Sequence, residues 1–231
     1  MDIDTALIVS AEQGNLVGIS ELVSSGAVIN CRDPNGNTPL HVAAKNGHSK
    51  ACRMLIDLGS FINPKNMENN TPLHLAVENL HENVVILLLE KHASTHVLNT
   101  LNQSPLHLAV LNNSSTAVRL LLVHDADVSL ADDHGNTPLH LACEQHLVDI
   151  VHLLLIAKAC VNCENEEGST PLEIAVREVG PDARPIAELL LAKGAIVTED
   201  AITQCMDKEI QSILIQVAAL EEGTHYQRRK K

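Results

Sequence analysis

The chain has 231 residues, of which 45% are hydrophobic and 19% charged, so it can bury a core and its composition is not that of a disordered protein. Its formal net charge of −13 disfavours binding to the phosphates of DNA or RNA. With one Phe, one Tyr and no Trp, it lacks the aromatic side chains that usually line an enzyme pocket.

The amino-terminal stretch "MDIDTALIVSAEQG" lacks the basic and apolar segments of a secretory signal, and runs such as "VVILLL" are too short to cross a bilayer. The six cysteines have no disulfide-framework spacing, so we expect reduced thiols in the cytoplasm or also in the nucleus. The closing "RRKK" is the only basic run, and both a nuclear signal and a plain exposed tail fit it. We expect residues 223–231 to form a flexible basic tail.

One tetrapeptide recurs every 33 residues. Its fourth residue is a histidine in four copies (His41, His74, His107 and His140) and Glu173 in the last. The copies begin at Thr38, Thr71, Ser104, Thr137 and Thr170, and a degraded copy precedes them at Thr5. Such unbroken spacing is typical of repeat architectures.

The sequence of each 33-residue repeat predicts two short helices and a turn. Thr38 suits a helix N-cap, and Pro39 suits the first helical position, where its missing N–H has no consequence. Gly47 ends the first helix, and Gly59 ends a second helix with apolar residues at helical spacing. A turn-rich segment then leads to the next copy. Such a unit cannot bury its apolar face alone and must stack on its neighbours.

The pattern resembles the ankyrin repeat, which implies an all-α solenoid with a helix-turn-helix and a β-hairpin-like turn in every 33 residues. We expect one domain over residues 1–222. Its amino-terminal repeat covers 1–33, and further repeats start near 34, 67, 100, 133 and 166. A degenerate capping unit covers 198–222, and three extra residues separate the two helices of the last repeat near Gly180.

The recurring histidines suggest a metal site, but their spacing argues against one. Equivalent atoms of stacked units lie roughly 10 Å apart, whereas zinc binds its histidine nitrogens at about 2 Å. The resemblance implies instead that each histidine bonds to its capping Thr or Ser and to the neighbouring turn. Cys160 and Cys163 form a CxxC without a second pair, which we interpret as structural. No catalytic or nucleotide-binding motif is present, so we expect neither an enzyme nor a cofactor.

The resemblance also gives expectations for surface residues. The family's turn asparagine, a structural residue and a possible substrate of an asparagine hydroxylase, corresponds to Asn30, Asn63 and Asn162. The variable positions of a concave partner-binding groove correspond to Arg32, Lys45, Lys65, Met67, Leu98, Leu101, Leu111, Asp133, His134, Glu144, Glu164, Glu166 and Glu167, with Glu178 beyond them.

These groove positions are apolar in the middle, basic toward the amino terminus and acidic toward the carboxyl terminus. The apolar residues favour an exposed interface, although leucines that pack on each other are the alternative. The acidic residues favour a basic ligand, although a solvated acidic face is the alternative.

We therefore expect a non-enzymatic adaptor, scaffold or inhibitor that is a monomer by itself and does not bind membranes. Its partner would be a protein or peptide with an apolar anchor and basic residues. The alternatives are a regulatory or chaperone-like subunit of a larger complex, and a pathogen-type effector or a fragment of a multidomain signalling protein.

Overall fold

The structure is a computed structural model that describes residues 2–177 and 180–228, with backbone only for 221–228. This part of the chain contains fourteen α-helices and no strand, which confirms the all-α fold class. It divides into two compact units, Met1–Asp127 and Val128–Lys231. The single domain that we expected over residues 1–222 stays a prediction.

The first unit consists of four helix pairs. The first helices of the pairs pack against one another in one layer, and the second helices pack against one another in a second layer. The helices are α1 (Ile3–Glu12), α2 (Leu16–Ser24), α3 (Pro39–Lys45), α4 (Ser49–Asp57), α5 (Pro72–Glu78), α6 (Glu82–Glu90), α7 (Pro105–Leu111) and α8 (Ser115–Val123).

The second unit repeats this arrangement. Its first helices α9, α11 and α13 pack in sequence, and α10 packs against α12. The helices are α9 (Pro138–Glu144), α10 (Val148–Ile156), α11 (Pro171–Arg177), α12 (Ala183–Ala192), α13 (Glu199–Gln204) and α14 (Lys208–Arg228). The connection between α11 and α12 is longer than that between α3 and α4, as the extra residues near Gly180 predict.

Each tetrapeptide begins a helix as predicted, because its Pro is the first helical residue of α3, α5, α7, α9 and α11. The Leu that follows is fully buried in all five copies, at Leu40, Leu73, Leu106, Leu139 and Leu172. The cores of both units are therefore built mainly from aliphatic side chains, with many buried Ala residues among them.

At the amino terminus, Asp2 caps the first helix and accepts the Thr5 N–H at 2.7 Å. At the other end, α14 does not stop at residue 222 but continues to Arg228, so the predicted tail begins inside a helix. Residues 229–231 of that tail lie outside the described residues.

Candidate partner-binding surfaces

The recurring histidines join each helix start to the following turn. In α3, Nδ1 of His41 accepts the backbone N–H of Thr38 at 3.0 Å and lies 2.9 Å from the Thr38 hydroxyl oxygen. Nε2 therefore carries the proton and donates to the carbonyl of Asn70 at 2.9 Å. The hydrogen-bonding role that the resemblance implied for this histidine matches the observed geometry.

The same geometry recurs in the other copies. Nε2 of His74 donates to the Gln103 carbonyl at 3.2 Å, and Nε2 of His140 lies 3.2 Å from the equivalent Ser169 carbonyl and 3.0 Å from the Cys163 carbonyl. Nδ1 of His107 accepts the Ser104 N–H at 3.1 Å. In the last copy Glu173 takes the place of the histidine and accepts the N–H of its own capping residue at 2.8 Å.

Burial keeps these histidines neutral. It lowers the pKa of His41 and of His74 from 6.5 to about 4, and it lowers the pKa of His140 as well. Within the described residues no group of three or more His, Cys, Asp or Glu side chains could hold a metal ion. The histidine ring nitrogens already have hydrogen-bond partners, so the arrangement is structural.

The turn asparagines connect successive repeats within each unit. Oδ1 of Asn30 accepts the Phe61 N–H at 2.9 Å, and Oδ1 of Asn63 accepts the Ser94 N–H at 2.9 Å. In the second unit Oδ1 of Asn162 accepts the Ile196 N–H at the same distance. The amide groups are thus engaged in structural contacts, and their hydroxylation stays a prediction.

Neighbouring turns of the first unit are hydrogen-bonded to each other. The N–H of Met67 donates to the Asn35 carbonyl at 3.0 Å, and the N–H of Thr100 donates to the Glu68 carbonyl at 2.9 Å. Arg32, which we predicted as a partner-binding residue, donates from Nη1 to the carbonyls of Gly36 and Lys65, both at 2.7 Å. Its guanidinium therefore helps to hold two turns together.

The predicted apolar patch is smaller than expected. Met67 is 74% exposed and Leu101 is 50% exposed, and they lie on turns that the backbone bonds place side by side. Leu98 and Leu111 are half-buried rather than freely exposed. Lys45 and Lys65 are exposed beside this surface.

The acidic residues of the second unit surround a cleft of about 550 Å³. Four of the predicted residues line it: His134, Glu144, Glu166 and Glu167. The other lining residues are Asn136, His146, Asn165, Ile174 and Arg177. Asp133 and Glu164 are exposed but do not line the cleft, and Glu178 lies outside the described residues.

Three contacts shape this cleft. The N–H of Glu166 donates to the His134 carbonyl at 3.0 Å, which joins the two turns that form one wall. Arg177 lies 3.9 Å from Glu167 and donates to the Ser169 hydroxyl at 2.9 Å. One guanidinium thus faces three glutamates, so the cleft keeps a negative charge near neutral pH.

His146 is one of the cleft residues that the sequence-based prediction did not name. Its Nδ1 is buried without a hydrogen-bond partner among the described residues. Its backbone has a φ of 55°, in the left-handed region. Gly47, which lies three repeats earlier in the chain, also has a positive φ. The signal was the 33-residue register, since position 146 follows a first helix at the point where Gly47 follows α3.

One expectation about the cysteines is wrong. We expected only reduced thiols, but Cys160 and Cys163 are joined by a disulfide. The turn after α10 brings their Cα atoms to 5.7 Å, a separation that a disulfide spans. The other four cysteines, Cys31, Cys52, Cys143 and Cys205, are free. In the part of the chain that the structure describes, no helix has the length and apolar character needed to span a bilayer.

Comparison with known families agrees with these observations. A family model described as ankyrin repeats (3 copies) matches residues 7–99 and 106–201, which together are most of the chain. No curated protein shows a significant sequence match to it.

Proposed function

Because the chain belongs to the ankyrin-repeat family, whose repeats are generally protein-interaction modules, we propose that it is a non-enzymatic adaptor, scaffold or inhibitor. It binds a protein or peptide through exposed turns and first-helix ends. The observation that carries this proposal is the negatively charged cleft between the turns of the second unit. The cleft takes a Lys or Arg side chain of the partner.

The chemistry of the cleft favours a guanidinium or ammonium group. Glu144 and Glu166 are exposed carboxylates without an ion pair among the described side chains, whereas Glu167 already has Arg177 nearby. A partner cation placed between two carboxylates gains charge-assisted hydrogen bonds. Ile174 on the wall offers an apolar surface to the aliphatic stem of a Lys or Arg side chain.

The first unit offers an apolar contact. Met67 and Leu101 present exposed side chains on adjacent turns. Methionine adapts to differently shaped partners, and a chain with so few aromatic residues of its own relies on its partner to supply them. We therefore expect an aromatic or aliphatic anchor of the partner at this position.

The test is affinity capture with the full chain, identification of stoichiometric partners by mass spectrometry, and measurement of their affinity by calorimetry. Leu101→Asp should weaken binding about tenfold or more, because a carboxylate replaces an apolar contact. The double variant Glu166→Lys, Glu167→Lys should weaken it at least as much and should remove most of its dependence on salt.

The matched control is the double variant Glu21→Lys, Glu90→Lys, which makes the same change in net charge at exposed glutamates of α2 and α6. It should bind as the unchanged chain does. If affinity for the partner survives both Leu101→Asp and the Glu166, Glu167 double change, the assignment of these surfaces is wrong. If the control weakens binding equally, overall charge rather than the cleft is responsible.

A further inference from the structure

The disulfide of the second unit lies at the surface. Cys160 is exposed and Cys163 is half-buried, and the two flank Val161 and Asn162 in the turn that follows α10. Reagents can therefore reach Cys160 without unfolding of the protein. The hydrogen bonds described above between neighbouring repeats involve neither sulfur atom, so the two cysteines can react without breaking these bonds.

A cavity of about 420 Å³ adjoins Cys160. Its lining includes the side chains of two lysines, Lys158 and Lys193, together with Leu155 and Asn162. The thiolate is the nucleophile in thiol–disulfide exchange, and the exposed Cys160 is the cysteine of the pair that an incoming disulfide reaches first. The two lysine side chains beside it attract small anionic molecules.

The turn that carries the pair is connected to both of its neighbours. The Cys163 carbonyl accepts Nε2–H of His140 at 3.0 Å. Asn162, between the two cysteines, donates to the Gly194 carbonyl at 3.0 Å and accepts the Ile196 N–H at 2.9 Å. None of these bonds involves a sulfur atom, and they hold the turn in which the two Cα atoms lie 5.7 Å apart.

We propose that Cys160 and Cys163 form a reversible thiol–disulfide site that exchanges with anionic low-molecular-weight disulfides, with Cys160 as the residue that reacts first. The Cys160 thiolate attacks one sulfur of the small disulfide, whose S–S bond breaks and releases one small thiol. The Cys163 thiolate then attacks Sγ of Cys160 and releases the second. The two cysteines lose two electrons and two protons, and the small disulfide gains them as two thiols. The proposal does not depend on the proposed function.

An earlier repeat of the same chain has only one of the two cysteines and can be compared with this pair. One hundred and thirty-two residues earlier, at the same register, Cys31 stands where Cys163 does, but Val28 stands where Cys160 does. Burial and the nearby Asp4 carboxylate raise the pKa of Cys31 to about 11, and burial raises the pKa of Cys52 to about 12. These free cysteines should therefore react slowly, although they share the chain and the buffer with the proposed site.

The experiment uses the full chain, reduced and desalted, in mixtures of reduced and oxidised glutathione. After an acid quench and alkylation in denaturant, mass spectrometry counts the free thiols and locates them. We expect the count to fall from six to four as the oxidised fraction rises, with the loss confined to the peptide containing Cys160 and Cys163. Adding dithiothreitol without denaturant should restore six.

Two sets of variants test the order of reaction and the role of the lysines. Cys163→Ser should trap a glutathione adduct on Cys160, whereas Cys160→Ser should form an adduct on Cys163 about tenfold more slowly. The double change Lys158→Ala, Lys193→Ala should slow exchange with oxidised glutathione about tenfold. It should affect exchange with the uncharged disulfide of 2-mercaptoethanol much less. Circular dichroism checks that each variant is folded.

The proposal is wrong if the number of free thiols stays at six in every glutathione mixture. A disulfide that dithiothreitol reduces only in denaturant, or an equal rate of reaction at Cys31, would also overturn it. Equal adduct rates in the two serine variants would contradict the assignment of Cys160 as the first residue to react.

Discussion

The imidazole of His81 covers Gly47 of the preceding repeat. A Cβ atom added to Gly47 would lie 2.6 Å from Nδ1 of His81, and Nε2 of His81 bonds to the Lys45 carbonyl at 2.9 Å. The same relationship joins His48 to Gly14, with an added Cβ at 2.8 Å and the Glu12 carbonyl as the partner of Nε2. His48 and His81, which precede α4 and α6, thus each satisfy a carbonyl at the end of the previous first helix.

This geometry predicts that Gly47→Ala destabilises the protein by about 2–3 kcal/mol. The φ of Gly47 is 75°, which an L-residue adopts only with strain, and the new methyl group would also displace the His81 ring. The free energy of unfolding, measured by urea denaturation, should fall accordingly.

Gly168→Ala separates the two effects. Gly168 has nearly the same φ, 74°, but an added Cβ would meet no atom within 4 Å. We expect a loss of only about 1 kcal/mol there, from backbone strain alone. Equal losses for the two variants would show that contact with His81 contributes nothing.

His74→Ala should lower the free energy of unfolding by about 3 kcal/mol. The change removes a fully buried ring and leaves the Thr71 N–H and the Gln103 carbonyl without their partner. His124→Ala, at an exposed position, is the control and should change stability by less than about 0.5 kcal/mol. A loss of bound metal in elemental analysis, at unchanged stability, would contradict the structural role.

The buried histidines predict that acid weakens the fold. The unfolded chain takes up protons near the ordinary histidine pKa of 6.5, whereas His41 and His74 in the folded chain do so only near pH 4. Their contribution to stability is therefore complete above about pH 6.5 and is lost as the pH falls from there toward 4. Urea denaturation at several pH values measures this loss.

The same experiment on His74→Ala provides the comparison. This variant lacks one of the groups that titrate, so its stability should fall less on acidification, and its difference from the unchanged chain should narrow between pH 7 and pH 4.5. A constant difference across that range would contradict the assignment of the lowered pKa to His74.

The repeated tetrapeptide predicts the starts of helices well because helix capping depends on residues that are close in the sequence. Thr71 and Pro72 mark a helix start by hydrogen-bonding capacity and ring geometry, and both effects act within one turn of the chain. The burial of the following Leu also follows from the 33-residue register, because every copy stacks in the same way. The helices α3, α5, α7, α9 and α11, which begin at the tetrapeptides, therefore required no long-range information beyond that repetition.

Exposure and sulfur chemistry were harder to predict because they depend on how neighbouring turns meet. The 33-residue register predicts an exposed Leu111, whereas the side chain is half-buried in the folded chain. The distance between Cys160 and Cys163 depends on the turn conformation, and the CxxC spacing fits both bonded and free thiols. His146 lines a cleft that exists only once two turns are adjacent.

Each turn contains an Asp or Asn acceptor that lies outside the repeated tetrapeptide. Oδ1 of Asp132 accepts the N–H groups of His134 and Asn136, at 2.9 and 2.8 Å. One or the other acceptor, Asp or Asn, makes the same pair of bonds in every repeat turn, at Asp33, Asn66, Asn99, Asp132 and Asn165. The side chain therefore sets the shape of the turn that presents the groove residues.

Asp132→Ala should destabilise the second unit by about 2 kcal/mol, because two backbone donors of a partly buried turn lose their acceptor. Asp132→Asn should stay within about 0.5 kcal/mol of the unchanged chain, since Asn performs this role at other turns. The adjacent, exposed Asp133→Ala should be equally neutral for stability, because the Asp133 carboxylate has only a long surface contact, 3.8 Å to Nε2 of His134. Thermal and urea denaturation rank the three variants, and a loss at Asp133 as large as that at Asp132 would show that the turn depends on charge rather than on the two backbone hydrogen bonds.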